Sequence, residues 1–169
     1  GELVARLKAH FANDWRGSRA LTAVEAVDKL EDCPGFESPD FELVPVKSLT
    51  KRERQALSVA RWFNDHLAGA LDRTPRTLVP GRSKTAEAWT DGRTYIAIGA
   101  PQLRAAVADG LPGWHRLVLL LVHEYMHDQA SSLGHVHDVE FYQAFHDALF
   151  ARNIQRFAMW AFARHCRRS

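Results

Sequence analysis

The chain has little that could staple it, span a bilayer or draw a charged partner. Its two cysteines, Cys33 and Cys166, are far apart and neither belongs to a C-x-x-C pair. That excludes a disulfide-dense scaffold, and both are read as reduced thiols of a cytoplasmic protein. The longest apolar run, Leu117–Val122, is far too short to cross a membrane. Residues Gly1–Leu7 lack the basic stretch and apolar core of a signal peptide. The formal net charge of +2 is too small to argue for nucleic acid, and the basic tail from Arg164 to Arg168 is short. There is no internal repeat and no low-complexity tract. The first residue is Gly rather than Met, so the chain is expected to be one part of a longer protein with further domains.

What is present is enough for a folded domain. Of 169 residues, 46% are apolar, and a chain of this size buries roughly 70% of its unfolded surface without a disulfide scaffold. Leu3, Val4, Leu7 and Phe11 recur at helical spacing, as do Leu21, Val24, Val27 and Leu30. Pro34-Gly35, Ser38-Pro39 and Pro45 then interrupt the pattern around a short strand at Phe41–Val44. Residues 1–49 are accordingly read as an N-terminal helical extension or linker, and residues 50–169 as the main domain.

Within that domain, Thr50 followed by Glu53 is a capping box, and it opens a helix running to Gly69 with Leu57, Ala60, Phe63 or Asn64, and Leu67 inward. Thr77–Pro80 reads as a strand. Glu87–Thr90 and Arg93–Ile98 flank Asp91-Gly92, a strong hairpin signal. Gln102–Ala108 reads as a short helix, and the turn cluster Asp109–Gly113 separates it from the next. Trp114 or His115 begins a helix whose apolar residues from Leu117 to Val122 occupy every face, the mark of a central buried helix. That helix is expected to end near Ala130–Gly134. Asp138 can cap another, with Phe141, Phe145 and Leu149 as its inward stripe. A break near Arg152-Asn153 leaves a last helix carrying Ile154, Phe157, Ala158, Ala161 and Phe162, and a fraying tail.

The chemistry is concentrated in His123-Glu124-Tyr125-Met126-His127, an H-E-x-x-H string. On a helix, residues four apart share a face, so both imidazoles can reach one ion. Glu124 is placed to act as general base on a metal-activated water. A catalytic zinc needs a third protein ligand and an open position. His137 is preferred: the ten-residue step from His127 accommodates a helix end and a turn, and His137 precedes the Phe141 stripe. His135 is the competitor, with Glu140 and Asp138 behind it. His115 and His146 read as ordinary helix histidines. A further oxyanion donor could come from Tyr142, Tyr125, Tyr95, His135 or Arg93, with His135 and Tyr142 preferred and Tyr125 read as core. Asp128, Asp138 and Asp147 are candidates to orient a ligand imidazole. Tyr95–Ile98 is expected to be the sheet edge along which a peptide could add as a strand.

The order helix, short strands, edge strand, H-E-x-x-H helix and third histidine resembles the zincin metallopeptidases. The string His137-Asp138-Val139-Glu140-Phe141-Tyr142 narrows the resemblance to families similar to SprT and the WLM proteases. These place a ligand histidine four residues before a helix phenylalanine, the relation of His137 to Phe141. Over residues 50–150, the resemblance implies an α+β fold in which a small antiparallel or mixed sheet packs on a central H-E-x-x-H helix. It implies Zn2+ held by His123, His127 and His137, Glu124 as the catalytic residue, and endopeptidase activity on a protein or peptide. The alternative is a catalytically silent module of the same fold that binds protein or associates with nucleic acid and holds a structural metal.

Overall fold

The structure, a computed structural model, describes residues 41–127, 137, 139–151 and 153–167. All of them fall in one compact unit, Pro39–Ser169. The N-terminal helices expected before residue 31, Cys33, and the segment holding Asp128, His135 and Asp138 lie outside the described residues.

Helix α1 (Lys51–Ala70) begins where expected, because its first donors are satisfied. The Glu53 amide donates to the Thr50 hydroxyl, and the Thr50 amide donates to the Glu53 carboxylate at 2.7 Å. The buried carboxylate also accepts from Arg104 at 2.7 and 3.1 Å, which ties the start of α1 to helix α2 (Ala100–Ala108). Leu57, Ala60, Phe63, Asn64 and Leu67 are all buried.

Four strands form a mixed sheet in the order β1 (Glu42–Leu43), β2 (Thr77–Arg82), β4 (Tyr95–Gly99), β3 (Ala88–Thr90). β2 and β4 run parallel, and the two outer pairings are antiparallel. The Asp-Gly hairpin is present, with Gly92 at φ 73°. The expected edge strand is not an edge, however: Tyr95–Gly99 lies between β2 and β3, and β3 takes the outer position. A parallel partner reached from α1 fills the side of β4 that a simple hairpin would leave open. One sheet face, with Leu78, Ile96 and Ile98, joins the core. On the other, Trp89 lies so close over Gly81 that a Cβ there would sit 2.1 Å from the indole, and Phe41 stacks on Trp89 at 5.0 Å.

Helix α3 (Gly110–Met126) starts earlier than expected. Gly110 at φ 59° turns the chain directly out of α2, and Pro112 is tolerated in a first helical turn, where its missing N–H has no partner to lose. The helix packs tightly on α2: a Cβ at Gly113 would meet the Ala105 carbonyl oxygen at 2.4 Å. Leu117, Val118, Leu121 and Val122 are buried, whereas Leu119 and Leu120 are only half-buried. The apolar run therefore serves two faces, one in the core and one on a cleft.

Helices α4 (Val139–Ala151) and α5 (Gln155–Cys166) follow. Asn153, at φ 47°, makes the break between them. Phe141 is buried, with Phe145 and Leu149 partly so. α5 buries Phe157, Ala158 and Ala161, and it continues through Arg164–Cys166 where fraying was expected. The fold is thus α+β, with five helices and one small mixed sheet among the described residues. No helix among them is long and apolar enough to cross a membrane.

Two stability predictions follow from this packing. Gly113→Ala gains helix propensity worth about 1 kcal/mol, but backbone meets the new methyl. Overpacking of about 1–3 kcal/mol wins, and urea unfolding should show a net loss. In the hairpin, burial works against the Asp91 carboxylate, yet hydrogen bonds from the Thr94 hydroxyl and the amides of Arg93, Tyr95 and Thr94 outweigh it, bringing its pKa down to about 2. Asp91→Ala should cost on the order of 1–2 kcal/mol at neutral pH. The folded pKa lies below the ordinary 3.8, so the ionised group stabilises fully above that value. The gap between the two proteins in urea should narrow as pH falls through about 4 toward about 2.

Candidate metal centre

The motif places its residues through the end of α3. His123 and Glu124 are in the last helical turn, but His127 is not helical: it is the C-cap, with φ −73° and ψ 126°. The expectation that both histidines share one uninterrupted helical face, with the helix running on to residue 130, is corrected on this point. His127 nonetheless turns its imidazole to the same place as His123, and the two Nε2 atoms are 3.3 Å apart.

His137 completes the cluster. Its Nε2 is 3.3 Å from that of His127, and ligand atoms of all three residues lie within 4.8 Å of one another. Two nitrogens at about 2.0–2.1 Å from a tetrahedral zinc stand about 3.3–3.4 Å apart, the separation seen between His123 and His127 and between His127 and His137. Neutral imidazoles are also a donor set that zinc accepts. His127 is buried, His123 half-buried and His137 exposed.

Phe141 holds this arrangement from below. Its ring centroid lies 4.6, 4.7 and 4.9 Å from those of His137, His127 and His123. Its place in the apolar stripe of α4 marked it as core; its contact with every imidazole comes only from folding. Phe145 adds an edge contact to His123 at 5.8 Å.

Glu124 is 4% exposed, and it borders two cavities that flank the cluster. The larger, about 460 Å³, is walled by Leu119, Leu120 and Phe145 on one side and Ala86–Ala88 on the other. The smaller, about 170 Å³, is bordered by Phe41, Trp89, His127 and His137. His123 and Glu124 border both. Burial pushes the Glu124 carboxyl up to about 7, against the opposing pull of the Arg76 guanidinium. A carboxylate poised there can both take and return a proton at neutral pH.

The remaining candidates are sorted by position. Tyr142 is 52% exposed, with its ring 6.0 Å from that of His137. Tyr125 is fully buried, and its hydroxyl donates to Asn64 at 2.9 Å, so it is occupied within the core. Asp147 accepts from Gln143 on the exposed face of α4 at 2.9 Å and does not orient a ligand histidine. His146 lies against Phe150 instead of joining the cluster. Arg76, on the loop before β2, had no role in the sequence reading, yet it is buried and reaches the main chain of the motif. A lone arginine in a loop carries no periodic or spacing signal.

The convergence predicts one tight zinc site that depends on His137. Dialysis against zinc followed by metal analysis should give about one equivalent for the wild type, and His137→Ala should bind at least about 100-fold more weakly while keeping its helical circular dichroism.

Comparison with protein-family models, with curated proteins and with solved structures found no match.

Proposed function

We propose that this domain is a zinc-dependent endopeptidase of the zincin type, resembling the SprT-like and WLM-like enzymes, and that it cuts a protein or peptide substrate. The observation that carries the reading is the approach of the His123, His127 and His137 imidazoles to zinc-like spacing beside a buried glutamate that faces the same cleft. Bound zinc supplies a Lewis acid that polarises the scissile carbonyl and acidifies water.

The chain's own residues account for the rest. Glu124 takes the proton from the attacking water and passes it to the leaving amine. Its burial keeps the carboxyl from being held as a permanently solvated anion, which suits a group that must bind a proton and release it. β3 is an outer strand of the sheet, and Ala86 and Ala88 border both cavities, with Glu87 at the larger and Trp89 at the smaller. A substrate backbone added along that edge lies across the histidine cluster, held by main-chain hydrogen bonds. Its side chains on either side of the scissile bond then meet apolar walls: Leu119, Leu120 and Phe145 in one direction, Phe41 and Trp89 in the other. Tyr142 at the exposed side of His137, together with His135, is the candidate donor to the developing oxyanion.

The test is cleavage of an unstructured polypeptide by zinc-loaded wild type and Glu124→Gln. Both should bind zinc equally, and the variant should lose about 10²–10⁴-fold in kcat. Stoichiometric zinc with no cleavage by the wild type would overturn the peptidase reading and favour a binding module with a structural metal. Fragments should carry apolar residues flanking the cut, read by mass spectrometry.

A further inference from the structure

The two motif histidines are not held in register by helix geometry alone, because α3 stops at Met126 and His127 leaves it in an extended conformation. Something must fix the peptide of His127 relative to the last helical turn. The Glu124 carbonyl is among the last four of the helix, which in general lack an intrahelical donor.

Arg76 meets both needs. One guanidinium nitrogen, Nη1, donates to the Glu124 carbonyl at 2.7 Å, and the other, Nη2, donates to the His127 carbonyl at 2.6 Å. Nη1 also reaches the Thr90 hydroxyl on β3 at 3.3 Å. The guanidinium lies 5.3 Å from the Tyr125 ring centroid. The main chain of Arg76 is itself pinned by a closed cycle of hydrogen bonds. Its amide donates to the Tyr125 hydroxyl at 3.1 Å, that hydroxyl donates to Asn64 Oδ1 at 2.9 Å, and Asn64 Nδ2 donates to the Arg76 carbonyl at 2.9 Å. The clamp is therefore referenced to α1, to β3 and to the motif helix at once.

We propose that Arg76 is a positioning residue for the metal centre: it bridges the carbonyls of Glu124 and His127 and so sets the spacing between the helical and the non-helical half of the motif. This rests on the metal reading above. A buried arginine is a costly choice if the only need were to fill space. Its positive charge suits a helix C-terminus, but a lysine would satisfy that too. Only the planar fork presents two donors to two carbonyls in a fixed geometry. Arg76 touches neither substrate nor reacting atoms in this account; it acts through the main chain of residues that do.

The test compares zinc affinity, by competition with a chromophoric chelator, for wild type, Arg76→Lys and Leu57→Ala. Leu57 is buried in α1, far from the motif in sequence, and its truncation lowers stability without touching the clamp. Arg76→Lys keeps the charge and loses the fork; it should weaken zinc binding about 10–100-fold, whereas Leu57→Ala should stay within about twofold of wild type at temperatures where both are folded. Equal affinity for Arg76→Lys and wild type, or an equal loss in Leu57→Ala, would overturn the proposal. If Arg76→Lys does not fold, the wild type decides by NMR. The Arg76 side-chain N–H protons should exchange slowly and shift on zinc addition; rapid exchange or no shift would overturn it. A wild type that binds no zinc removes the metal reading and this inference together, whereas zinc binding indifferent to Arg76 removes the inference alone.

Discussion

Where helix α3 stops decides the geometry of the whole histidine cluster. A helix that ran on past His127 would align the two motif imidazoles by its own period. This one ends a residue earlier, and the Glu124 and His127 carbonyls find their donors on Arg76 instead of on the next helical turn. Backbone groups in a buried position must be paired, so the end of the helix and the guanidinium that meets it have to be built together. The buried ring of Asn64, Arg76 and Tyr125 extends that requirement into α1 and the loop before β2.

The sheet and α4 complete the enclosure from opposite sides. β3 and the two residues before it bring Ala86–Trp89 to the cleft, and the outer position of β3 depends on β2 having taken the other side of β4. α4 brings Phe141 under all three imidazoles. Glu124 is buried, and that burial is what moves its proton affinity toward neutrality. The same enclosure leaves His137 exposed while the Glu124 carboxyl is buried.

Much of this architecture can be read from local pattern. Thr50 and Glu53 announce the start of α1 because a capping box is a contact between near neighbours. Asp91-Gly92 announces the hairpin because only a few residues adopt its turn. Gly110 was legible as a breaker but not as a pivot: whether a glycine ends one helix or starts the next depends on what the following helix packs against, here Ala105 across from Gly113. Strand order was not legible either. A hairpin says which strands are adjacent, but not which side the parallel partner joins, because that pairing links residues separated by a whole connection.

The sequence by itself determined the identity of the chemical groups: H-E-x-x-H, a later histidine at residue 137, and a phenylalanine four residues on. These are short-range statements, and periodicity carries them. Only the tertiary structure decided that His137 stands 3.3 Å from His127, that Tyr125 is bound into the core while Tyr142 is exposed, and that Arg76 clasps the motif from 48 and 51 residues away. The reason is physical. Spacing along a chain limits what can meet, but the pairing of buried polar groups and the filling of space around them select which of the possible meetings occurs.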